Sequence, residues 1–359
     1  MRIILIYTYY RILFMTSRVL SISLFLLSLS IAPSAQSAEE VNIYSARQEV
    51  LIRPLLDAFT TSTGITVNVI SSDADALLNR IENEAQNSPA DVLLTTDAGR
   101  LWRAKTANVL STVESEQLNN LIPSHLRDTD NQWFGLSVRA RPIMVNTAYA
   151  EKVGAESLPS TYADLANEQF AKQICIRSSS NIYNQSLVAS MLAREETQTV
   201  ETWAIGLVNN MARSPQGGDR DQIKAAALGQ CAFAVANTYY LASMLGADNP
   251  AADQQAAQAI TVIWPNQSST GTHINISGAG VLKHAPNRAN AIALLHFLAS
   301  DEAQSIYANV NYEYPVRDGI ELNSILAQWG DFKADTLDLT KLGEHNAEAV
   351  KLMDRAKWR

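Results

Sequence analysis

From residue 41 onward, short apolar runs alternate with amphipathic stretches, and that alternation restricts the chain to an α/β architecture. VNIYSA (41–46) reads as a strand. Residues 50–63 follow as a helix with Leu51, Leu55 and Phe59 on one face, and ITVNVI returns as a strand after Gly64. Further units are a helix over 75–85, a strand at DVLL (91–94), a helix over 98–105, strands at 133–137 and 142–146, and strands at 174–177 and 231–236. The Ala/Gln patch at 251–259 reads as a helix end or surface loop. No glycine-rich phosphate loop follows any strand, and no internal repeat is visible. Ligands of open α/β sheets lie beyond the carboxyl ends of strands, so the segments after 177 and after 236 are where one is expected.

The first residues do not fit this alternation. Arg18 precedes the apolar run VLSISLFLLSLSI (19–31), and small residues follow through Ala38, which reads as a secretory signal peptide over residues 1–38. The run is short for a membrane span. Met15 is the expected start; the alternative is a longer uncleaved anchor that includes the apolar residues 1–14. No cysteine lies near the cleavage region, so a free periplasmic protein is expected. The chain has 359 residues, 47% apolar and 18% charged, enough for two domains with their own cores. Residues 1–38 hold three of the 28 basic residues and none of the 36 acids, leaving 25 against 36, a net −11. Such a balance lacks the basic footprint that nucleic-acid binding needs.

The two cysteines, Cys175 and Cys231, read as a disulfide in an exported chain; two buried thiols are the alternative. Each precedes a tyrosine by eight residues: Cys175 before Tyr183, Cys231 before Tyr239. This places a cysteine-to-tyrosine segment on each of two neighbouring strands, each ending in a tyrosine-bearing loop. Tyr240 follows Tyr239 directly. Phenolate is a hard anionic oxygen donor suited to a small, highly charged cation, and three phenolates match the charge of Fe(III). Adjacent side chains on a strand point to opposite faces, so both rings converge only if the strand has ended; Asn237 and Thr238 are suitable N-cap residues for that ending. The alternative for any Tyr-Tyr pair is ordinary packing.

The strings YSARQE (44–49), PADVLLTTDAG (89–99), RSSSNIYNQSLVASM (177–191), GGDRDQIKA (217–225), ANTYYLA (236–242), HINISGAGVLK (273–283) and YEYPV (312–316) resemble the periplasmic ferric-ion-binding proteins of ABC importers. The resemblance covers essentially the whole mature chain. It implies a two-lobed type II solute-binding clamshell, each lobe a mixed sheet flanked by helices, with the ligand in the interlobe cleft. One lobe would comprise residues 41–138 and 273–318, the other 139–272 and 319–359 with a C-terminal helical tail. It further implies Tyr183, Tyr239 and Tyr240 as Fe(III) ligands, an ABC permease as partner, and a monomer.

The first lobe departs from the family pattern. Where many relatives carry histidine or His-Tyr this chain has Gln48 and Glu49, and where some carry glutamate it has Thr96. The resemblance therefore points to members that use three tyrosines plus a bound anion, carbonate or another small species. Arg47 and Arg139 are the candidates to hold that anion in a bidentate fork, with a structural ion pair as the alternative for Arg139. Glu49 is either a direct oxygen donor or a solvated acid in a first helical turn, and Asp97, beside Thr96, reads as another first-turn acid. No nucleophile elbow, H-E-x-x-H or Cys-x-x-Cys motif is present, so catalysis is not expected. Two other readings remain: an organic or anionic cargo in the same fold, and a periplasmic enzyme with tyrosine-ligated iron.

Overall fold

Two sheets organise the molecule. The computed structural model describes residues 39–359; the expected signal peptide, residues 1–38, lies outside the described residues. The first sheet has the order β2-β1-β3-β9-β4, built from β1 (Glu40–Ser45), β2 (Thr66–Ser71), β3 (Val92–Thr96), β4 (Phe134–Ala140) and β9 (Ile274–Val281). β1 pairs parallel with β2 and β3, whereas β9 runs antiparallel to both β3 and β4. Every residue of β3, β4 and β9 is buried; β3 and β9 are central strands, and the edge strand β4 is covered on its outer side where Val138 bridges Tyr314. The second sheet has the order β6-β7-β5-β8, from β5 (Ile143–Asn146), β6 (Ile174–Cys175), β7 (Phe233–Val235) and β8 (Ile260–Ile263).

The chain crosses between sheets twice, from β4 to β5 through residues 141–142 and back from β8 to β9 through residues 264–273. Each sheet has its own apolar core. Val41, Ile43, Leu93, Phe134 and Ile276 belong to one cluster; Ile143, Phe170, Phe233 and Trp203 belong to another. The C-terminal segment divides between them, with Leu326, Leu339 and Leu342 in the first and Leu352, Met353 and Trp358 in the second.

Seven helices matter for the site: α1 (Glu49–Thr63), α2 (Ala98–Thr106), α3 (Ile182–Leu192), α4 (Asp219–Ala227), α5 (Thr238–Leu245), α6 (Thr340–Glu344) and α7 (Asn346–Arg355). α1 buries Ile52, Leu55, Leu56 and Phe59, a helical spacing that packs it on the first sheet, and it stops at Gly64 in the left-handed conformation. Leu55 and Phe59 are buried as the sequence pattern suggested, whereas Leu51 lines the cleft and Ile52 takes its place in the core. Residues 251–258, read as a helix end or loop, form a two-turn helix. Among the described residues no helix is long and apolar enough to cross a membrane.

Cys175 and Cys231 form a disulfide with Cα atoms 5.9 Å apart. The bridge ties β6 to the start of its parallel neighbour β7 across 56 residues of chain. Closing a loop of that length restricts the unfolded chain, so replacing both cysteines with serine is expected to cost about 2–4 kcal/mol. Urea unfolding of the oxidised wild type against the double variant measures it.

Candidate metal centre

β7 ends at Val235, and α5 begins three residues later, so Tyr239 and Tyr240 fall in a first helical turn. Tyr183 occupies the equivalent place in α3. The expected tyrosine-bearing loops are thus helix N-termini, and this is what lets two adjacent rings face the same space. The Tyr239 and Tyr240 ring centroids lie 4.1 Å apart with planes tilted by 32°. The Tyr183 and Tyr239 hydroxyl oxygens are 3.5 Å apart. All three rings open onto a cleft of about 860 Å³, whose other wall carries Arg47, Gln48, Leu51, Thr96 and Arg100 from the first lobe.

Asn237 is the N-cap residue of α5, as expected, yet its side chain makes no capping bond. Its Oδ1 accepts from Arg141 Nη1 at 3.0 Å instead. Arg141 also donates to Asn184 Oδ1 at 2.5 Å and pairs with Asp219 at 3.4 Å, and Arg177 reaches the same carboxylate at 3.4 Å. This buried cluster clamps the N-termini of α3, α4 and α5 together behind the tyrosines. Sequence reading missed Arg141 and Asp219; the signal was the spacing of Arg139 and Arg141, two residues apart on an extended segment and so on one face.

Arg139 is buried at the end of β4, with Nη2 donating to the Ile276 carbonyl and no partner for Nε or Nη1. Its guanidinium stands 5.1 Å from the Tyr183 ring centroid. Burial raises the Tyr183 phenol, but the Arg139 charge, with hydrogen bonds from Tyr239 and Thr96, brings it below its ordinary value. Tyr239 is pushed well up by burial and by its two tyrosine neighbours. Tyr240 is also raised, by burial first and then by Tyr183 and Asp219. One phenol of the three is therefore poised to ionise ahead of the others.

The first-lobe candidates separate. Gln48 is the N-cap residue of α1, without a side-chain capping bond, and lines the cleft wall. Glu49 is exposed and pairs with Arg53 one turn along, so it serves as a first-turn acid facing solvent. Arg47 lines the cleft, but its Nη2 pairs with the buried Glu313 at 2.7 Å and its Nη1 bonds Ser277 Oγ, leaving Nε alone unpartnered. Arg100 and Arg220 line the cleft from opposite lobes, held by Thr96 and Ser243 hydroxyls at 3.2 and 2.9 Å. Neither forms an ion pair among the described residues. Two acids, Asp73 and Asp248, also line it. Among the described residues no group of three or more His, Cys, Asp or Glu side chains gathers as a metal site.

Comparison with known proteins places this architecture. Residues 87–330 match the family model described as bacterial extracellular solute-binding protein. The chain is 46% identical over 329 residues to iron uptake protein A1 of Synechocystis sp., covering 92% of this chain and 90% of that protein. A solved Trichodesmium IdiA (FutA) structure in complex with iron and citrate ligands superposes with a TM-score of 0.84 at 46% identity, covering 89% of this chain and 100% of that one. The apo ferric ion-binding protein A of Pasteurella haemolytica gives 0.82 at 41% identity, covering 89% and 98%. With two helix-flanked sheets, two crossings and a cleft between them, the chain belongs to the bacterial extracellular solute-binding proteins, in the branch of the ferric-iron-binding proteins.

Proposed function

We propose that the chain captures Fe(III) in the periplasm and delivers it to an ABC permease. The observation that carries this reading is the convergence of Tyr183, Tyr239 and Tyr240, from two helix N-termini, on one interlobe cleft. Three phenolates neutralise the ion, and each deprotonates on binding, because Fe(III) is a strong Lewis acid and ligand deprotonation accompanies metal binding. The remaining coordination positions fall to a small anion, carbonate or citrate, and the cleft of about 860 Å³ has room for one beside an ion. Arg100 and Arg220 are the free cations such an anion meets, while Arg139 acts on Tyr183 through its charge. An ion held by the second-lobe tyrosines, with a bound anion that meets Arg100 on the first lobe, favours the closed arrangement by its differential affinity, and that arrangement is what a permease recognises.

Equilibrium dialysis against ferric citrate and, under reductant, ferrous iron tests the reading. One ferric ion per chain, with ferrous iron bound far more weakly, is the expected result; equal affinities contradict it. Affinity is also expected to fall with acid. Each phenol that must release a proton contributes up to about one decade of affinity per pH unit below its pKa. Dialysis at pH 8 and at pH 6 therefore gives weaker binding at the lower value, and a flat profile excludes phenolate ligation.

A further inference from the structure

Tyr183 and Ser186 lie three residues apart on α3, hence on neighbouring positions of one helical face. Opposite them, at the end of β3 in the first lobe, stand Thr96 and Asp97. Thr96 borders the Tyr183 hydroxyl on the cleft side. Behind it, Ser186 Oγ donates to Asp97 Oδ2 at 2.6 Å, a contact between segments 89 residues apart.

Asp97 is an unusual residue. It is fully buried, and its backbone sits at φ 85°, ψ 122°, where a side chain is strained unless its surroundings hold it. It forms no ion pair with Lys or Arg among the described residues. Oδ1 accepts from Gly99 N at 2.9 Å, which is all that capping α2 requires. Oδ2 goes entirely elsewhere, to Ser186 and to Asn275 Nδ2 at 2.7 Å. Asn275 lies on β9, the strand by which the chain returns from the second lobe, and its Oδ1 accepts from Ala98 N at 2.9 Å. One buried carboxylate thus joins the first-lobe turn, the return strand and the helix that carries Tyr183. Asn181, the N-cap residue of α3, makes no side-chain capping bond, and the helix is seated by the Arg141–Asn184 bond at its first turn and by the Ser186–Asp97 bond one turn on.

We propose that Asp97 and Ser186 are a positioning pair that docks α3 on the first lobe and thereby sets where the Tyr183 oxygen meets the ion. The inference rests on the ferric reading above. A hydrogen bond to a charged acceptor is worth roughly a tenfold to hundredfold change in an equilibrium. Ser186→Ala is therefore expected to weaken ferric binding by about tenfold or more.

The test measures ferric affinity by citrate competition, together with the visible phenolate-to-iron band, for wild type, Ser186→Ala, Ser186→Thr, Tyr183→Phe and the Ser186→Ala/Tyr183→Phe double variant. Melting of each iron-free protein is recorded alongside. The expected result is weaker binding and a shifted band in Ser186→Ala, both restored in Ser186→Thr, with little further loss when Tyr183 is already Phe. Unchanged affinity and band in Ser186→Ala, a lower melting temperature as its sole effect, or additive losses in the double variant would each overturn the positioning role. A wild type without ferric affinity removes the ferric reading and this proposal together, whereas a binding wild type with an unaffected Ser186→Ala removes the proposal alone.

Discussion

Phenylalanine at both Tyr239 and Tyr240 is expected to lower ferric affinity by more than about 100-fold while leaving the fold intact. Removing a partner that merely orients a metal ligand costs roughly 10- to 100-fold, and this change removes two of the three candidate ligand oxygens. The rings remain, so the 4.1 Å packing between them and the burial of α5 are retained. Gln48→Ala, at the cleft wall but bearing no charge, is expected to have a smaller effect. Competition against citrate measures both. Equal, small losses in the two variants contradict the assignment of the tyrosines.

The second large effect falls on stability. Arg47 and Glu313 pair at 2.7 Å with side chains 2% and 0% exposed, and Ser277 and Ser137 hydroxyls complete the network. Glu313 stands beside Tyr314, whose backbone bonds Val138 of β4 in both directions. Glu313→Ala leaves a guanidinium charge buried without a counterion, and such a broken pair costs about 3–5 kcal/mol. Arg47→Met combined with Glu313→Leu removes both charges and is expected to recover most of that loss. Urea unfolding of the single and double variants decides between this account and one in which Arg47 is free to serve an anion. A Glu313→Ala protein as stable as wild type contradicts it.

What could be read from sequence was local. The alternation of apolar runs with amphipathic stretches marked β1 to β7 and the helices near 50–63, 75–85 and 98–105, because hydrophobic periodicity is written along consecutive residues, whereas β8, β9 and most later helices were not read from it. The equal cysteine-to-tyrosine offsets reflected real neighbours: β6 and β7 pair side by side, and the bridge joins them. The end of β7 ahead of the tandem tyrosines was legible from Asn237 and Thr238 for the same reason.

What could not be read was which distant polar groups meet. Arg47 finds Glu313 across 266 positions, and Asp97 finds Ser186 across 89. Nothing in the spacing of single residues encodes such contacts; they arise from the order of strands in a sheet whose members come from both ends of the chain. Arg141 and Asp219 were overlooked because their role depends on three helix N-termini being brought together. Glu49 illustrates the reverse case, where a local partner, Arg53 one turn away, explains the residue without any ligand. The C-terminal segment, assigned by sequence to one lobe, packs on both cores because α6 lies against α2 and α3 while α7 lies against α3.

The visible absorption spectrum recorded during titration of the mature protein with ferric iron, for wild type and for Tyr239→Phe, tests the central claim most directly. A broad phenolate-to-iron charge-transfer band that saturates at one ion per chain, and that weakens or shifts in the variant, is the predicted result. A protein that stays colourless throughout, or a band identical in the two proteins, contradicts tyrosine ligation.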